Sequence, residues 1–170
     1  MSIQDFFTPF EMAEKLVKIA FAEEFALHEG LKIAAKVIEK TAKKEIGKYQ
    51  SGIGPFPEWA ELADSTIDEK ERLGYAPPDN PLLRTGELRD SISSKVDGLV
   101  AYVGSTSDLA TYHEFGTSKM PMRPFIGPAA YRNKKKIQKI LGGAAISGFY
   151  DGGKNIHKSL GYDVEFNGEE

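Results

Sequence analysis

Apolar residues recur at helical spacing near the start of the chain. Phe10, Ala13, Leu16, Val17 and Ala20 fill one broad face, and Glu11, Glu14, Lys15 and Lys18 share another. Thr8-Pro9-Phe10-Glu11 has the layout of a capping box, with a hydroxyl for an orphan amide, proline at the first helical position and glutamate three residues after the threonine. A helix is expected to start there. The pattern resumes after Gly30, where Leu31, Ala34, Ala35, Ile38, Ala42, Ile46 and Tyr49 recur opposite Lys32, Lys36, Glu39, Lys40 and Lys43. One unbroken helix from Pro9 to Tyr49 would run about 60 Å, longer than a compact domain of this size is wide. A break or bend near Gly30 is therefore expected.

Ser51 to Pro57 holds too much proline and glycine for a helix and reads as a loop. Trp59, the single tryptophan, is expected to plug that loop onto the core. Ser65-Thr66-Ile67-Asp68 opens a second helix that should end at Gly74, and Tyr75 to Pro81 is irregular. Thr85 to Ile92 reads as a short helix with Thr85 as its cap and Leu88 and Ile92 on its buried side. Ser93–Val96 and Leu99–Val103 are short strands joined at Asp97-Gly98, a hairpin signal of the type I′ kind. Asp108 to Phe115 suits one or two helical turns, and Met120 to Pro128 is stiffened by proline. A last helix should begin near Pro128, with Ala130, Ile137, Leu141 and Ala144 inside and a fray or kink at Gly142-Gly143. Beyond Phe149, an Asp151-Gly152-Gly153 turn leads to a polar end whose best strand is Tyr162 to Phe166.

This order predicts an α+β fold, with a small antiparallel sheet packed against the N-terminal helical segment and a C-terminal helix. The expected organisation is one domain over residues 1–150 and an extension of unassigned role over 151–170. A chain of 170 residues can bury roughly 70% of its unfolded surface around one core. With 41% apolar and 28% charged residues, it falls in the ordinary globular range. No apolar run approaches a membrane span, and the opening Met-Ser-Ile-Gln-Asp lacks the layout of a secretory signal, so synthesis and folding in the cytoplasm are expected. There is no cysteine, which excludes disulfides, zinc–thiolate sites and a thiol nucleophile. The net charge of -3 gives no global reason to bind nucleic acid. Arg132, Lys134, Lys135, Lys136 and Lys139 form a local basic run, read first as a solvated helix face, while Glu165, Glu169 and Glu170 make the end acidic.

Catalytic patterns are not found. His28, His113 and His157 are far apart, and His113-Glu114 lacks the second histidine of a metalloprotease helix. No Gly-x-Ser-x-Gly elbow occurs, Gly52-Ile53-Gly54-Pro55 is no phosphate loop, and Glu23-Glu24 looks like helix surface. The expectation is no enzyme, cofactor, metal or small-molecule substrate.

Three segments are more specific. They are Pro81-Leu82-Leu83-Arg84-Thr85-Gly86-Glu87-Leu88-Arg89-Asp90-Ser91-Ile92, Ala101-Tyr102-Val103-Gly104-Ser105, and Tyr112-His113-Glu114-Phe115-Gly116-Thr117 running into Met122-Arg123-Pro124-Phe125-Ile126-Gly127-Pro128-Ala129. Together with Trp59-x-x-Leu62, Thr66 and Lys70-x-x-Leu73-Gly74, this series resembles the phage virion-morphogenesis family of minor tail, neck and tail-completion proteins, found in lambda-like and Mu-like phages and in prophages. The resemblance covers roughly Tyr49 to Ala130.

The resemblance implies a subunit of a ring, expected to have six members, at the head-proximal end of the tail. It would finish the tube or link it to the head connector, with tail-tube or connector proteins as partners and DNA only as cargo in the channel. It also places the protein in the host cytoplasm during assembly and in the virion neck or tail afterwards. The structural motif is Trp59, Arg84, Thr85, Gly86, Leu88, Gly104, Glu114 and Phe115. Thr85 is expected to cap a helix, Gly86 to leave its first turn uncrowded, Gly104 to end a strand and Gly116 to take a backbone angle closed to side chains. Glu114, beside a Tyr112 expected to be buried, should be held by Arg84 or Arg123. The segment Gly116, Thr117, Met120, Met122, Arg123, Pro124 and Phe125 is the expected subunit-contact loop, fully ordered only in the ring, with Phe125 either its anchor or a filler of its own core. The alternative class is a nucleic-acid-binding module that uses the basic helix after Pro128.

Overall fold

The computed structural model describes residues 9–151, so the expected cap at Thr8, His157, the Gly152-Gly153 turn and the strand over 162–166 lie outside the described residues. The elements run α1 (Pro9–Glu45), α2 (Asp64–Arg72), α3 (Glu87–Asp90), β1 (Ile92–Asp97), β2 (Val100–Ser105), α4 (Asp108–Phe115), α5 (Ile126–Arg132) and α6 (Lys134–Asp151). The two strands pair as an antiparallel hairpin, and the fold is α+β. Their contacts group the described residues into two units.

The first unit holds 9–34, 97–100 and 136–151. Here α1 packs against α6, burying Ala26, Ile33, Ala34, Ile140, Ala144 and Ser147. The break expected at Gly30 is absent, since α1 is one helix of 37 residues. The physical reason is close approach: a Cβ on Gly30 would stand 2.7 Å from the Ala144 Cβ. The glycine's cost to the helix is about 1 kcal/mol against alanine, and it is tolerated because the helices come together there. Gly142 and Gly143 likewise do not interrupt α6. At the hairpin tip, His28 Nδ1 donates to the Gly98 carbonyl at 2.7 Å.

The second unit holds Ala35–Val96 and Ala101–Lys135. Its core comprises Ala42, Ile46, Trp59, Leu88, Ile92, Ala110, Phe125 and Ala129, with Ile38, Leu82, Leu83 and Ile126 packed against it. One buried carboxylate joins α1 to the sheet: Glu39 accepts from Ser94 Oγ at 2.6 Å, Lys36 at 2.8 Å and Lys43 at 3.0 Å. Burial pushes this acid up, but those three donors outweigh it and hold it near about 2.

Several expected boundaries move. α2 starts at Asp64 with Ala63 as its N-cap, so the Ser65 start was late and no side chain caps it. Its end is as expected: Gly74 takes φ 78° and donates to the Glu71 carbonyl, while Tyr75 N donates to Lys70 O, the paired bonds of a Schellman motif. Thr85 is not the cap of α3. Gly86 is, at φ 94°, and Thr85 Oγ1 accepts only a long 3.4 Å bond from Glu87 N. The hairpin turn is Gly98-Leu99, with positive φ at Gly98 and not at Asp97, so it is not the type I′ turn expected of Asp97-Gly98. The helix expected from Pro128 starts at Ile126 and stops at Asn133, whose Nδ2 donates to Ala129 O and Thr41 Oγ1. The inner face of α6 is Ile140, Ala144 and Ser147, with Ile137 and Leu141 half-buried.

Candidate docking site

Two of the three motif segments, residues 81–92 and the stretch from Tyr112 to Arg123, border one cleft of the second unit, of about 830 Å³, whereas residues 101–105 do not reach it. Arg84 to Leu88 form one side, and Leu109, Tyr112 and His113 of α4 another. Thr117, Met120, Pro121 and Arg123 close it from the following loop, and Leu62 and Lys70 stand at its far end. The wall is mainly apolar with charges of both signs at intervals, a lining suited to a protein partner that brings its own apolar side chains.

Glu114 fixes the geometry of this region. Its Oε2 accepts from Phe125 N at 2.9 Å and Ile126 N at 3.2 Å, and its Oε1 from Gly127 N at 2.9 Å. The expected arginine partner is therefore a correction. The free amides at the start of α5 already point at the carboxylate and satisfy it. Arg84 instead pairs with Glu69 at 2.9 Å and lies over the Tyr75 ring. Arg123, buried, donates to the carbonyls of Ala60 at 3.0 Å and Glu61 at 2.9 Å. Tyr112, expected to be buried, is exposed, as are Leu109 and Phe115.

Trp59 performs the pinning expected of it. It is buried, and its Nε1 donates to the Pro124 carbonyl at 2.8 Å, while its amide donates to Gln50 O. Together with Arg123, it ties the irregular stretch before α2 to the segment before α5.

The contact loop divides in two. Phe125 is 0% exposed and fills its own core, so its role as a docking anchor is overturned, and Arg123 and Pro124 are buried beside it. The outer half is different. Thr117 N donates to Met120 O at 2.9 Å and Arg123 N to His113 O at 2.7 Å, so the loop's own hydrogen bonds define its path. Gly116 starts it at φ 74°, where a Cβ would stand 2.9 Å from Met122 N, as the expected special angle requires. Thr117 and Met122 are exposed and Met120 half-buried. Gly104 lies one residue before the end of β2, with open space around it.

The surface residues missed in the sequence are Leu109 and Tyr112. Their spacing of three puts them on one face of α4, which was a readable signal. His113 is held below its usual range by burial and, secondarily, by Arg123. No cluster of metal-ligating side chains occurs among the described residues, and no described helix is long and apolar enough to cross a membrane. Comparisons with protein-family models, with curated proteins and with solved structures find no match.

Proposed function

We propose that this chain is a structural subunit of a phage or prophage particle, placed at the neck or head-proximal tail and acting in tail completion or head–tail joining by ring assembly. The observation that supports it is the convergence of two of the three motif segments on one cleft, in whose lining Leu109 and Tyr112 stand exposed to water, as do Phe115 and Met122 of the same motif segment and its continuation. Adjacent apolar side chains left exposed mark an interaction surface more often than a finished exterior. The partners in this reading are further copies of the chain and tail-tube or head-connector proteins. Assembly would take place in the host cytoplasm.

The test is complementation of a phage whose copy of this gene is disrupted. The disrupted phage should accumulate unjoined heads and tails. A chain carrying Leu109→Asp, Tyr112→Ser and Met122→Ser should fold and yet lower the titre at least ~100-fold, since hot-spot side chains are each worth about 2 kcal/mol or more. Complete particles from the disrupted phage would overturn the reading. Normal titre with the triple variant would remove the cleft from it.

A second reading is contact with DNA passing through the channel, favoured by the exposure of Lys134, Lys135 and Lys139 at the start of α6. Arg132 takes no clear part in such a patch, because its Nε lies 3.0 Å from Glu45 Oε1.

A further inference from the structure

We infer that the cleft of the second unit receives the acidic and apolar segment from Tyr162 to Glu170 of a neighbouring copy of this chain, a directional contact that joins one subunit to the next. The inference rests on the reading of that cleft as a docking surface.

Two cations of the cleft wall are buried without a counter-ion. Lys70 is 2% exposed and Arg123 5%, and among the described residues neither forms an ion pair. Their hydrogen bonds go to neutral carbonyls, from Lys70 Nζ to Asn80 and from Arg123 Nε and Nη2 to Ala60 and Glu61. A buried charge that meets no opposite charge is costly. Burial holds both groups below their ordinary ranges, with Arg84 adding to the effect at Lys70 and Asp79 opposing it. Lys119, exposed on the same wall, also lacks an ion pair among the described residues. The lining acids Glu61 and Glu87 are exposed, so salt and water screen them more than they screen the buried cations. The field in the cleft is therefore positive, over a wall whose apolar part is five leucines and Met120. Such a wall suits an occupant with carboxylates set between apolar side chains.

The chain itself carries a segment of that composition. Residues 162–170 include Asp163, Glu165, Glu169 and Glu170 with no lysine or arginine, and Tyr162, Val164 and Phe166 alternate with the first two acids. An extended backbone sends alternate side chains to opposite sides, so this order offers apolar groups to the leucines and carboxylates to the cations. The other stretches outside the described residues fit less well. Residues 1–8 hold the single acid Asp5, and 152–161 hold Lys154 and Lys158 and no acid. A volume of about 830 Å³ is in the range of sites that enclose a small ligand, which suits a few side chains of an extended segment and not a folded domain. Residues 152–161 span at most about 33 Å when extended, roughly the diameter of a small domain, so the segment can reach an adjoining subunit. A contact between two different patches is heterologous, and repeated by rotation it closes a ring.

The experiment measures binding of a fluorescent synthetic peptide of residues 162–170 to the full chain carrying Asp163→Lys and Glu165→Lys, whose own segment is thereby disabled. The peptide should bind, and more weakly as salt rises. Adding Leu109→Asp and Lys119→Glu, both at exposed cleft positions, should lower its affinity at least ~30-fold, the effect of one hot spot, with circular dichroism unchanged. A peptide carrying Asp163→Asn, Glu165→Gln, Glu169→Gln and Glu170→Gln should bind about 10-fold more weakly and with little salt dependence. Sedimentation velocity then tests the neighbour. Chains altered only in the cleft and chains altered only in the segment should each stay monomeric and form a complex when mixed, because each supplies the half that the other lacks. Absence of peptide binding, equal binding by the cleft variant or by the neutral peptide, or a mixture that stays monomeric overturns the inference. None of these measurements needs a particle. Failed complementation with peptide binding intact removes the phage reading alone, and normal complementation without peptide binding removes this inference alone.

Discussion

Phe125 and Phe21 are the same residue in opposite conditions. Phe125 has no exposed surface and belongs to a core built from five elements and the loops between them, whereas Phe21 stands mostly in water on a helix whose opening turns bury nothing. Around Phe125, three polar side chains are matched to backbone groups. Glu114 takes three amides, Trp59 gives its indole hydrogen to Pro124, and Arg123 holds two carbonyls. Around Phe21, among the described residues, the α6 contact on the other side of the helix holds the backbone. The first region is complete within one chain. The second leaves Phe10, Val17, Phe21 and Phe25 exposed.

The largest expected effect breaks the contrast at its core. Phe125→Ala should cost about 3–5 kcal/mol of folding stability, the usual range for removing a buried aromatic. Phe21→Ala should change the stability of the monomer by no more than about 0.5 kcal/mol, as surface substitutions do. Urea denaturation of both variants at a concentration that keeps the chain monomeric measures the difference, and equal losses would abolish the distinction between the regions.

The next effect sharpens the contrast from the polar side. Glu114→Ala leaves the amides of Phe125, Ile126 and Gly127 without their acceptor, and it removes a negative charge from the start of α5. Unsatisfied amides cost about 1–3 kcal/mol, and the charge at a helix start adds about 0.3–1. A total loss of about 2–3 kcal/mol is expected. An Arg123→Lys variant should leave the Glu114 bonds intact, whereas an arginine partner would have made the two substitutions equivalent. A double-mutant cycle between Glu114 and Arg123 should therefore show little coupling, and strong coupling would restore the ion pair.

What could be read from the sequence follows the same division. Helices α2, α3 and α4, the hairpin and the plugging role of Trp59 were legible, because each rests on local periodicity, turn chemistry or one large side chain in a loop. The partner of Glu114 was not. Its acceptor role depends on where the start of α5 lies in space, and an amide leaves no mark in composition. Gly30 misled for a related reason: a glycine that admits a neighbouring helix looks the same in sequence as one that ends a helix. The site was legible as a set of motifs but not as a surface. Exposure of Tyr112 and burial of Phe125 are decided by which face of α4 and which side of the loop meet the core.

The last expected effect concerns an acid that the second unit buries at some cost. Glu45 is 4% exposed, and burial pushes its carboxyl from 4.5 up to about 7, against the pull of Arg132 and with a further push from Glu114. A carboxyl whose pKa is raised in the folded state holds its proton more tightly there than in the unfolded chain. Its contribution to stability is fully present below pH 4.5 and is lost as pH rises through about 7. Glu39 acts in the opposite direction and elsewhere on the scale. Held near about 2, it contributes above 4.5 and is lost as pH falls toward 2. Between those values the two acids separate, so a Glu45→Gln variant isolates one of them. Relative to that variant, the parent should lose about 2–3 kcal/mol of stability between pH 4.5 and 7.5, because one pKa unit corresponds to about 1.4 kcal/mol. Thermal unfolding across this range gives the comparison directly. If the two curves run parallel, Glu45 does not titrate in the folded state, and the pairing with Arg132 is strong enough to keep it ionised despite burial.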